Sequence, residues 1–303
     1  MEDLMSAQAE PGNKSALSLK IFGRRKRRGE KLVVLTAYDL TSAQIASNGG
    51  VDAILVGDSV GMVVMGHENT LSVTVDDMIH HCRSVAQAKP QVPIIADMPY
   101  GSFHISPEQT VANALRLIKE GGAQAVKLEG GRNREAAIKA LIAAEIPVMG
   151  HLGLTPQSVH KFGGYKVQGR GAAAAEKILE DGMLLAAWGC FAIVLECVPA
   201  NLAYKLSQAI AVPTIGIGAG GQCDGQVLVF HDMLGLHGGH LPRFVKQYAQ
   251  LAETATAAVA KFAEEVRRGE FPELEHEYGE LTESSGRAKK KESAPDTIEK
   301  GKE

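Results

Sequence analysis

Cysteine is scarce in this chain of 303 residues, and its four cysteines include no C-x-x-C pair. They are Cys82, Cys190, Cys197 and Cys223. A chain of this length buries roughly three quarters of the surface that its unfolded state exposes, so one large domain needs no disulfide or structural metal. We therefore exclude a disulfide-stabilised scaffold and expect reduced thiols in a cytoplasmic protein.

Long apolar runs and a large excess of one charge are also missing. No run approaches the roughly 20 apolar residues that a membrane-spanning helix requires. The first residues carry Glu2, Asp3 and Glu10 ahead of the first basic cluster, and they lack the apolar core of a signal peptide. The formal net charge is -3, which does not predict a polyanion-binding protein. We expect a globular protein without membrane or nucleic-acid partners.

The chain does contain a regular alternation of strand-like and helix-like segments, which is typical of an α/β fold with a parallel sheet. Eight segments are predicted to be strands: 32–38, 53–57, 93–98, 125–129, 147–151, 191–197, 213–218 and 227–230. The last two lie so close together that the helix between them must be very short or missing. Eight such units fit a (β/α)8 TIM-type barrel better than an open doubly wound sheet, and both alternatives place chemistry at the carboxyl ends of the strands.

Local signals mark where helices begin and where the barrel ends. Ser106 is predicted to cap a helix, with Pro107 in its first turn, Gln109 completing a capping box, and the pair 121–122 of glycines ending it. Thr74 is predicted to begin another helix. The polar residues 1–15 and the charged residues 276–303 are expected to be disordered extensions, which leaves residues 16–275 as one barrel domain.

Four short apolar runs each end on a carboxylate. They are Val56-Gly57-Asp58, Ile94-Ile95-Ala96-Asp97, Val126-Lys127-Leu128-Glu129 and Val194-Leu195-Glu196. A single acid of this kind is ordinarily a helix cap or a solvated loop residue. Each acid here belongs to a different strand-then-helix unit, so a fold that converges the strand ends brings all four together. Their mutual repulsion then requires a positive group, and hard oxygen donors without a nearby Cys or H-x-x-x-H pattern favour Mg2+.

The fourth of these strands carries a cation as well as an acid. Lys127 and Glu129 are two residues apart, so both project into the barrel interior while Val126 and Leu128 project outwards. A buried ion pair with a purely structural role is the alternative interpretation of this pair.

Longer motifs connect the chain to a known family. The motifs are V-G-D-S-V-G-M (56–62), G-H-L-G-L-T-P-Q-S (150–158), F-G-G-Y-K-V-Q-G-R-G (162–171), V-L-E-C-V-P (194–199) and I-G-I-G-A-G (215–220). They resemble signatures of the ketopantoate hydroxymethyltransferase family, and the resemblance covers roughly residues 17–275. Motifs of this length are far more specific than a lone glycine fingerprint.

The resemblance implies a fold, an activity and a set of partners. Members of the family are (β/α)8 barrels that use Mg2+ and transfer a one-carbon unit from 5,10-methylenetetrahydrofolate to 3-methyl-2-oxobutanoate. The products are 2-dehydropantoate, an intermediate of pantothenate biosynthesis, and tetrahydrofolate. Family members assemble as homo-oligomers, frequently decamers, and the apolar positions of the last predicted helix, 244–266, would serve either such an interface or packing on the chain's own barrel.

The resemblance also implies roles for individual residues. Asp58, Asp97 and Glu129 resemble the family's metal-associated acids. Ser59 and Lys127 resemble contacts to the 2-oxo acid, beside which Asp58 and Asp97 also lie. Glu196 resembles the family's proton acceptor. No departure occurs at these positions.

The chemistry of a 2-oxo acid is consistent with these roles. Its carboxylate and ketone oxygens can chelate Mg2+ together, which polarises the ketone and acidifies the proton on C3. Glu196 would remove that proton if burial raises its pKa above the ordinary value of about 4.3. A protonated Lys127 would add a second positive group beside the developing negative charge.

Several further features have two interpretations at this stage. Residues 153–171 form a long glycine-containing connection that is either a lid or a static crossover or oligomer contact. His151 either hydrogen-bonds the substrate or is a structural histidine. The pair His237 and His240 has a spacing that suits a metal, although histidine pairs more often bind none.

Two rival functions come from other parts of the chain. The glycines of residues 216–221 could cradle a phosphate and make the protein a phosphosugar enzyme, but four acids would repel such a ligand. The basic run 24–28 could contact nucleic acid, but it has no interleaved aromatic residues and a solvated basic stretch is the simpler interpretation.

Overall fold

Eight parallel strands close into a barrel whose strand order follows the chain. The computed structural model describes residues 18–236, 238 and 241–279. The strands are β1 (Leu32–Thr36), β2 (Ala53–Val56), β3 (Ile94–Asp97), β4 (Ala125–Glu129), β5 (Val148–Gly153), β6 (Ala192–Glu196), β7 (Thr214–Ile217) and β8 (Gly225–Leu228). The predicted TIM-type barrel is therefore confirmed, and the open doubly wound sheet is excluded because β1 pairs with β8.

Helices follow most of the strands, and none in the described residues is long and apolar enough to cross a membrane. They are α1 (Lys20–Arg28), α2 (Leu40–Asn48), α3 (Val60–Val63), α4 (Val75–Gln87), α5 (Pro107–Lys119), α6 (Glu135–Ala143), α7 (Val159–Phe162), α8 (Ala172–Trp188), α9 (Ala200–Ala209), α10 (Phe230–Met233) and α11 (Leu251–Arg268). Short 3-10 turns occupy Arg132–Arg134, Pro156–Ser158 and Leu274–His276.

The chain divides into two compact units, Met1–Ala252 and Glu253–Glu303. All eight strands belong to the first unit. The second contains most of α11, which begins at Leu251 and not at residue 244 as the sequence predicts. Residues 1–15 and His237 and His240 lie outside the described residues, as does the predicted tail from residue 280 onwards.

The predicted helix starts are confirmed, with one difference in detail. Ser106 Oγ accepts a hydrogen bond from the Gln109 amide at 3.2 Å, and Pro107 occupies the first turn of α5. The reciprocal bond from the Gln109 side chain is absent from the described contacts. At α4 the capping box is complete, because Thr74 and Asp77 exchange both bonds. Asp77 has a short side chain that reaches back and accepts a hydrogen bond from the backbone amide of Thr74.

Side-chain alternation along the strands separates two apolar layers. The outward residues of β4, Val126 and Leu128, belong to the larger cluster between the barrel and its helices. The inward residue Ala125 belongs to a smaller cluster inside the barrel, together with Phe22 of α1, which is fully buried. Because alternate residues share a face, the inward row of β4 continues from Ala125 to Lys127 and Glu129. The barrel interior therefore changes from apolar to charged towards the carboxyl ends of its strands.

The basic run 24–28 lies in α1, where part of it is paired. Lys26 Nζ donates to Asp224 Oδ2 and to the Ser207 carbonyl, both at 2.8 Å. Arg25 forms an ion pair with Asp52, which immediately precedes β2. These contacts attach α1 to the amino-terminal side of the strands. The run is consequently not simply a solvated stretch, and two of its charges are committed to holding the fold.

Candidate active site

The carboxyl ends of β2, β3 and β4 bring together the acids and the lysine that the sequence singles out. Asp58 lies two residues beyond β2, Asp97 ends β3, and Lys127 and Glu129 stand in β4. Each retains only 4 or 5% of its surface. The strand register places Asp97 directly beside Lys127, since parallel neighbours in a barrel present their inward residues at matching heights.

Lys127 and Asp97 form the central ion pair of this group. Lys127 Nζ lies 2.9 Å from Asp97 Oδ1, and Asp97 Oδ2 accepts a hydrogen bond from the Asp58 amide at 3.1 Å. Burial acts to lower the pKa of Lys127, but the negative charges of Asp97, Glu129 and Asp58 outweigh it and raise the pKa above its ordinary value. The lysine is therefore a permanent cation in the centre.

Gln157 is a site residue that the sequence reasoning missed. It lies in the 3-10 turn after β5, where its amide N–H donates to Glu129 Oε2 at 3.0 Å. Its side-chain Nε2 donates to Asp58 Oδ2 at 2.8 Å and to the Met98 carbonyl at 2.9 Å. Its Oε1 is buried and has no hydrogen-bond partner among the described residues. The available signal was its place in the G-H-L-G-L-T-P-Q-S motif, directly after a barrel strand.

Gln157 belongs to the segment 153–171, for which the sequence leaves a lid or a static crossover or oligomer contact open. The first part of this segment contains the turn Pro156–Ser158 and the short helix α7, and it contributes a buried side chain to the centre. The backbone amide of Gln157 is held there by Glu129. Residues 163–171 contain no helix or strand, and a lid over 153–171 stays a prediction.

His151 lies in β5 between the lysine and the fourth acid, Glu196. It is 2% exposed; its Nδ1 is 3.3 Å from Lys127 Nζ, and its Nε2 is 3.2 Å from Glu196 Oε2, without the alignment of a hydrogen bond. Burial, followed by the charge of Lys127, holds the pKa of His151 well below its ordinary value. The neutral imidazole of His151 thus lies between Lys127 and Glu196.

Glu196 ends β6 and remains partly accessible, with 16% of its side chain exposed. Burial raises its pKa to about 8, although the charge of Lys127 opposes that shift. The backbone around it is tightly constrained: the Glu196 carbonyl accepts from the Leu154 amide at 2.8 Å, and Cys197 has a positive φ of 46°. Gly153 permits this approach, because a Cβ there would lie 2.2 Å from the Glu196 carbonyl oxygen.

The mouth of the centre is bordered by hydroxyl groups. Ser59, next to Asp58, is partly buried, and its Oγ lies 2.8 Å from the Tyr38 hydroxyl. Tyr165, in the segment 163–171, is 51% exposed and contacts Met62 with its hydroxyl 3.8 Å from the sulfur. Burial raises the pKa of Tyr165, and the negative charge of Glu196 adds to the effect. Its hydroxyl therefore lies within electrostatic reach of the acids.

The charges of the centre do not balance. Four carboxylates face one lysine, and the neutral His151 adds no compensation. Burial raises the pKa of Asp58 to about 7, and the charge of Asp97 adds to this effect. Burial and the charge of Asp58 raise the pKa of Glu129 well above its ordinary value. Ionising all four acids would thus leave a surplus of negative charge, which a bound cation would relieve.

The acids of the centre supply part of a ligand set for Mg2+. Among residues 18–236, 238 and 241–279, no three His, Cys, Asp or Glu side chains are arranged to hold an ion on their own. Mg2+ is usually held by one or two carboxylates and completes its shell with water and substrate oxygens. The adjacent carboxylates of Asp58 and Asp97 fit that description. Glu129 stays the third predicted acid of the site, because Asp58, Asp97 and Glu129 each already accept one hydrogen bond within the centre.

Two glycines of residues 216–221, Gly218 and Gly220, lie against neighbouring side chains. A Cβ at Gly218 would lie 2.8 Å from the Phe244 ring, and one at Gly220 would lie 2.5 Å from Ala200 Cβ. The loop therefore lies against these side chains, which is the usual reason for glycine where two segments approach closely. Packing accounts for these two glycines without a bound phosphate.

Comparison with known proteins identifies relatives along most of the chain. The sequence model of the family described as ketopantoate hydroxymethyltransferase matches residues 17–274. The 3-methyl-2-oxobutanoate hydroxymethyltransferase of Moorella thermoacetica is 53% identical over 88% of this chain and 98% of its own length. The enzyme of that name from Pelobacter propionicus is 53% identical over 84% of this chain and 94% of its own.

Solved structures support the fold at lower sequence similarity. Phosphonopyruvate hydrolase, in a complex with oxalate and Mg2+, is 13% identical and superposes with a TM-score of 0.55 over 85% of this chain and 92% of that one. The structure of 2,3-dimethylmalate lyase, a member of the PEP mutase/isocitrate lyase superfamily, is 15% identical with a TM-score of 0.54, over 89% of this chain and 90% of its own. At this identity the comparison supports the barrel alone.

Proposed function

Because this chain belongs to the ketopantoate hydroxymethyltransferase family, we propose that it transfers a hydroxymethyl group from 5,10-methylenetetrahydrofolate to 3-methyl-2-oxobutanoate in a Mg2+-dependent reaction that yields 2-dehydropantoate. That the chain is an enzyme of this kind follows from relatives at about half identity over most of its length. The observation that supports the mechanism is the meeting of a permanent cation, Lys127, with a base of raised pKa, Glu196, beside two adjacent carboxylates.

Asp58 and Asp97 would hold the ion, with Glu129 as the third acid behind them. When bound, Mg2+ would polarise the ketone of the 2-oxo acid and make its C3 proton more acidic. Gln157 would orient two acids, because its side-chain amide donates to Asp58 and its backbone amide donates to Glu129. The unpartnered Oε1 of Gln157 would accept a hydrogen bond from a water or a substrate hydroxyl.

Glu196 would act as the general base. Its carboxylate would take the proton from C3, and the electron pair of the broken C–H bond would form the new bond to the methylene carbon of the folate. Both bonds from that carbon to the folate nitrogens break, and each electron pair stays on its nitrogen. A water supplies the hydroxyl group, and its remaining proton and the proton from C3 complete the two N–H groups of tetrahydrofolate. A raised pKa makes this carboxylate a stronger base than an ordinary glutamate. His151 lies 3.2 Å from Glu196, and because its imidazole is neutral it does not reduce the basicity of that carboxylate.

Lys127 would stabilise the charge that this step creates. Lys127 is 5% exposed, and an electrostatic interaction in such a water-poor site is stronger than in solvent. Ser59 would contact the 2-oxo acid with the hydroxyl that lies beside the Tyr38 hydroxyl. Together these residues position the substrate between a cation and a base.

The assembly and location of the enzyme are part of the proposal. We place the activity in the cytoplasm, in agreement with four free cysteines of which three are buried. We also propose a homo-oligomer, with the decamer that the family resemblance implies as its expected form. Residues 16–275 are proposed as the catalytic domain between two extensions, and the described site residues lie within the unit Met1–Ala252.

Deuterium exchange at C3 of 3-methyl-2-oxobutanoate tests the base directly. In D2O the wild-type chain should incorporate deuterium at C3 only when Mg2+ is present, and Glu196→Gln should reduce the rate at least 100-fold because the proton loses its acceptor. Glu145→Gln, an exposed acid between α6 and β5, is the matched control. Unchanged exchange in Glu196→Gln would refute the role of Glu196.

A coupled assay with both substrates tests the overall reaction. Formation of 2-dehydropantoate from 3-methyl-2-oxobutanoate should require methylenetetrahydrofolate and should stop on addition of EDTA. Restoration by added Mg2+ identifies the ion. Full turnover in the presence of EDTA would contradict the dependence on a divalent metal.

A further inference from the structure

A group of aromatic side chains and one arginine stands outside the carboxylate centre and has no role in the mechanism above. It consists of Tyr100, Phe103, His104, Ile105 and Arg134, which we call the aromatic rim. The first four lie in the loop between β3 and α5, and Arg134 lies in the turn after β4. Both loops follow the carboxyl ends of strands, so the rim is on the same face of the barrel as the centre.

The rings of the rim contact one another in edge-to-face and tilted arrangements, with interplanar angles of 60° for Tyr100 and His104 and 38° for His104 and Phe103. The rings of Tyr100 and His104 are 4.9 Å apart between centroids, and those of His104 and Phe103 are 4.3 Å apart. Arg134 lies over the other end, with its Cζ 5.1 Å from the Phe103 ring centroid. Phe103 is 3% exposed and is already covered by Arg134, so a further ring would contact the more exposed rings of Tyr100 and His104.

Four of the five rim residues line a small, open cavity next to exposed apolar side chains. The cavity measures about 140 Å³ and is lined by Phe103, His104, Ile105, Ser106, Pro107, Asn133, Arg134, Ala136 and Ala137. A cavity of about 150 Å³ holds one benzene ring. Ile105 is 77% exposed and Tyr100 is 48% exposed, so the apolar surface at the entrance is uncovered.

Arg134 links the cavity to the carboxylate centre. Its Nε is buried and has no hydrogen-bond partner among the described residues. Burial lowers the pKa of Arg134, while the charge of Glu129 acts in the opposite direction, so the guanidinium lies within electrostatic reach of that acid. A buried donor without a partner costs free energy, and a carbonyl oxygen arriving with a ligand would satisfy it.

We propose that this cavity binds the aminobenzoyl ring of the folate co-substrate, with the benzoyl carbonyl oxygen facing Arg134. The assignment rests on the proposed function, since only a folate donor brings such a ring to this face. An aromatic ring joined to a carbonyl matches both the size of the cavity and the buried, unpartnered Nε of Arg134. The reactive methylene carbon, one nitrogen away from this ring, would then point towards the centre.

The neighbouring cavity does not suit the glutamate tail of the folate. It measures about 580 Å³, shares Asn133 with the first, and is lined otherwise by Arg132, Ala173, Glu176, Lys177, Glu180 and Asp181. Three acids against two bases do not attract a dianion, and Arg132 is already paired with Glu180 at 3.1 Å. The tail is therefore left in solvent.

Equilibrium dialysis of tetrahydrofolate against Mg2+-loaded enzyme tests the subsite. Ile105→Asp places a charge at the apolar entrance, on a side chain exposed enough to leave folding undisturbed, and should weaken tetrahydrofolate binding at least tenfold. Arg134→Met, which keeps the length of the side chain but removes the donor, should weaken it severalfold. Ile45→Asp is the matched control, because Ile45 is an apolar side chain of α2 that is 48% exposed. It should bind as the wild type does.

Deuterium exchange at C3, which consumes no folate, separates the subsite from the function on which it depends. Each variant is assayed for exchange in the same preparation, so that a loss of tetrahydrofolate binding is assigned only where the carboxylate centre is intact. Wild-type affinity in both Ile105→Asp and Arg134→Met, in preparations that exchange, would overturn the subsite and leave the proposed function standing. A wild-type chain that neither exchanges nor binds tetrahydrofolate would overturn both.

Discussion

Glu196 shows how one residue acquires its chemistry from its surroundings. In solution a glutamate is a weak base, with a pKa of about 4.3. At the end of β6, burial raises the pKa to about 8, and the charge of Lys127 limits the rise. Burial also lowers the pKa of His151, so the pKa values of the two neighbours move in opposite directions while both side chains shift towards their neutral forms.

The pH dependence of exchange at C3 follows from this pKa. A general base works only when deprotonated, so the rate should rise with pH, about tenfold per unit, until it levels off near pH 8. Initial rates between about pH 6 and about pH 9 at saturating Mg2+ measure the profile. The bound ion favours the charged carboxylate and can move the midpoint lower. A rate that falls over this range would contradict the assignment.

Replacement of Lys127 tests the charge balance at the same scale. Lys127→Met leaves Asp97 buried and without its 2.9 Å partner, and loss of one member of a buried pair costs about 3 kcal/mol. The free energy of unfolding in urea should fall by that order. Added Mg2+ should restore more of it in this variant than in the wild type, because the cation takes over the missing charge.

The control for this experiment is an exposed pair. Lys139 lies 2.5 Å from Glu135 on α6, and its side chain is 55% exposed. Lys139→Met should change stability by less than about 1 kcal/mol and should show no extra response to Mg2+. Equal losses in the two variants would mean that Lys127 and Asp97 gain nothing from their burial.

At the scale of secondary structure elements, the junction of β5 and β6 determines where Glu196 points. Gly153 has a φ of 95°, and the Glu196 carbonyl lies where its Cβ would be. The Leu154 amide donates a hydrogen bond to the Glu196 carbonyl, and this bond holds the ends of β5 and β6 together. A residue with a side chain at position 153 would force the two strand ends apart.

Gly153→Ala should therefore be severe. The added methyl group meets the Glu196 backbone and Val198, at 2.2 Å and 2.6 Å, and a positive φ adds further strain. We expect the melting temperature to fall by several degrees and exchange at C3 to drop at least tenfold. Gly171→Ala is the control, since a Cβ at Gly171 would meet nothing within 4 Å and the φ of this residue is -88°. Comparable losses in both variants would show that the close contact between Gly153 and the Glu196 backbone is not the cause.

At the scale of the whole molecule, α11 is a long helix whose apolar side chains are largely exposed. None of its described residues is buried, and Val259, Phe262 and Val266 are 66%, 53% and 46% exposed. These positions recur at intervals of three and four, which places them on one face of the helix. A contiguous exposed apolar face of this kind marks an interaction surface, in agreement with the proposed homo-oligomer.

Phe262→Asp should therefore reduce the mass of the assembly. A charge in the middle of the apolar face would lose its hydration on association, so the interface should weaken. Sedimentation velocity measures the mass, and Ala257→Asp on the opposite face of α11 serves as the control. An unchanged mass in Phe262→Asp would exclude this face from the interface.

The fold could be predicted to a large extent from the sequence. Each of the eight strand segments is confirmed, because buried parallel strands are short apolar runs bounded by turn residues. The least accurate boundaries are at β8, which starts at Gly225, and at α11, which starts at Leu251. At both, glycine or polar residues blur the apolar pattern. The pairing of β1 with β8 that closes the barrel leaves no local signature at all.

The sequence by itself determined the acids, the lysine and the order in which strands carry them, since residue type and side-chain alternation are local properties. Only the tertiary structure decided which of them touch. Gln157 and His151 became site residues through contacts with side chains far away in the chain, and a contact between distant residues depends on how the barrel closes. The pKa of Glu196 belongs to the same category, because burial is a property of the folded molecule and not of any motif.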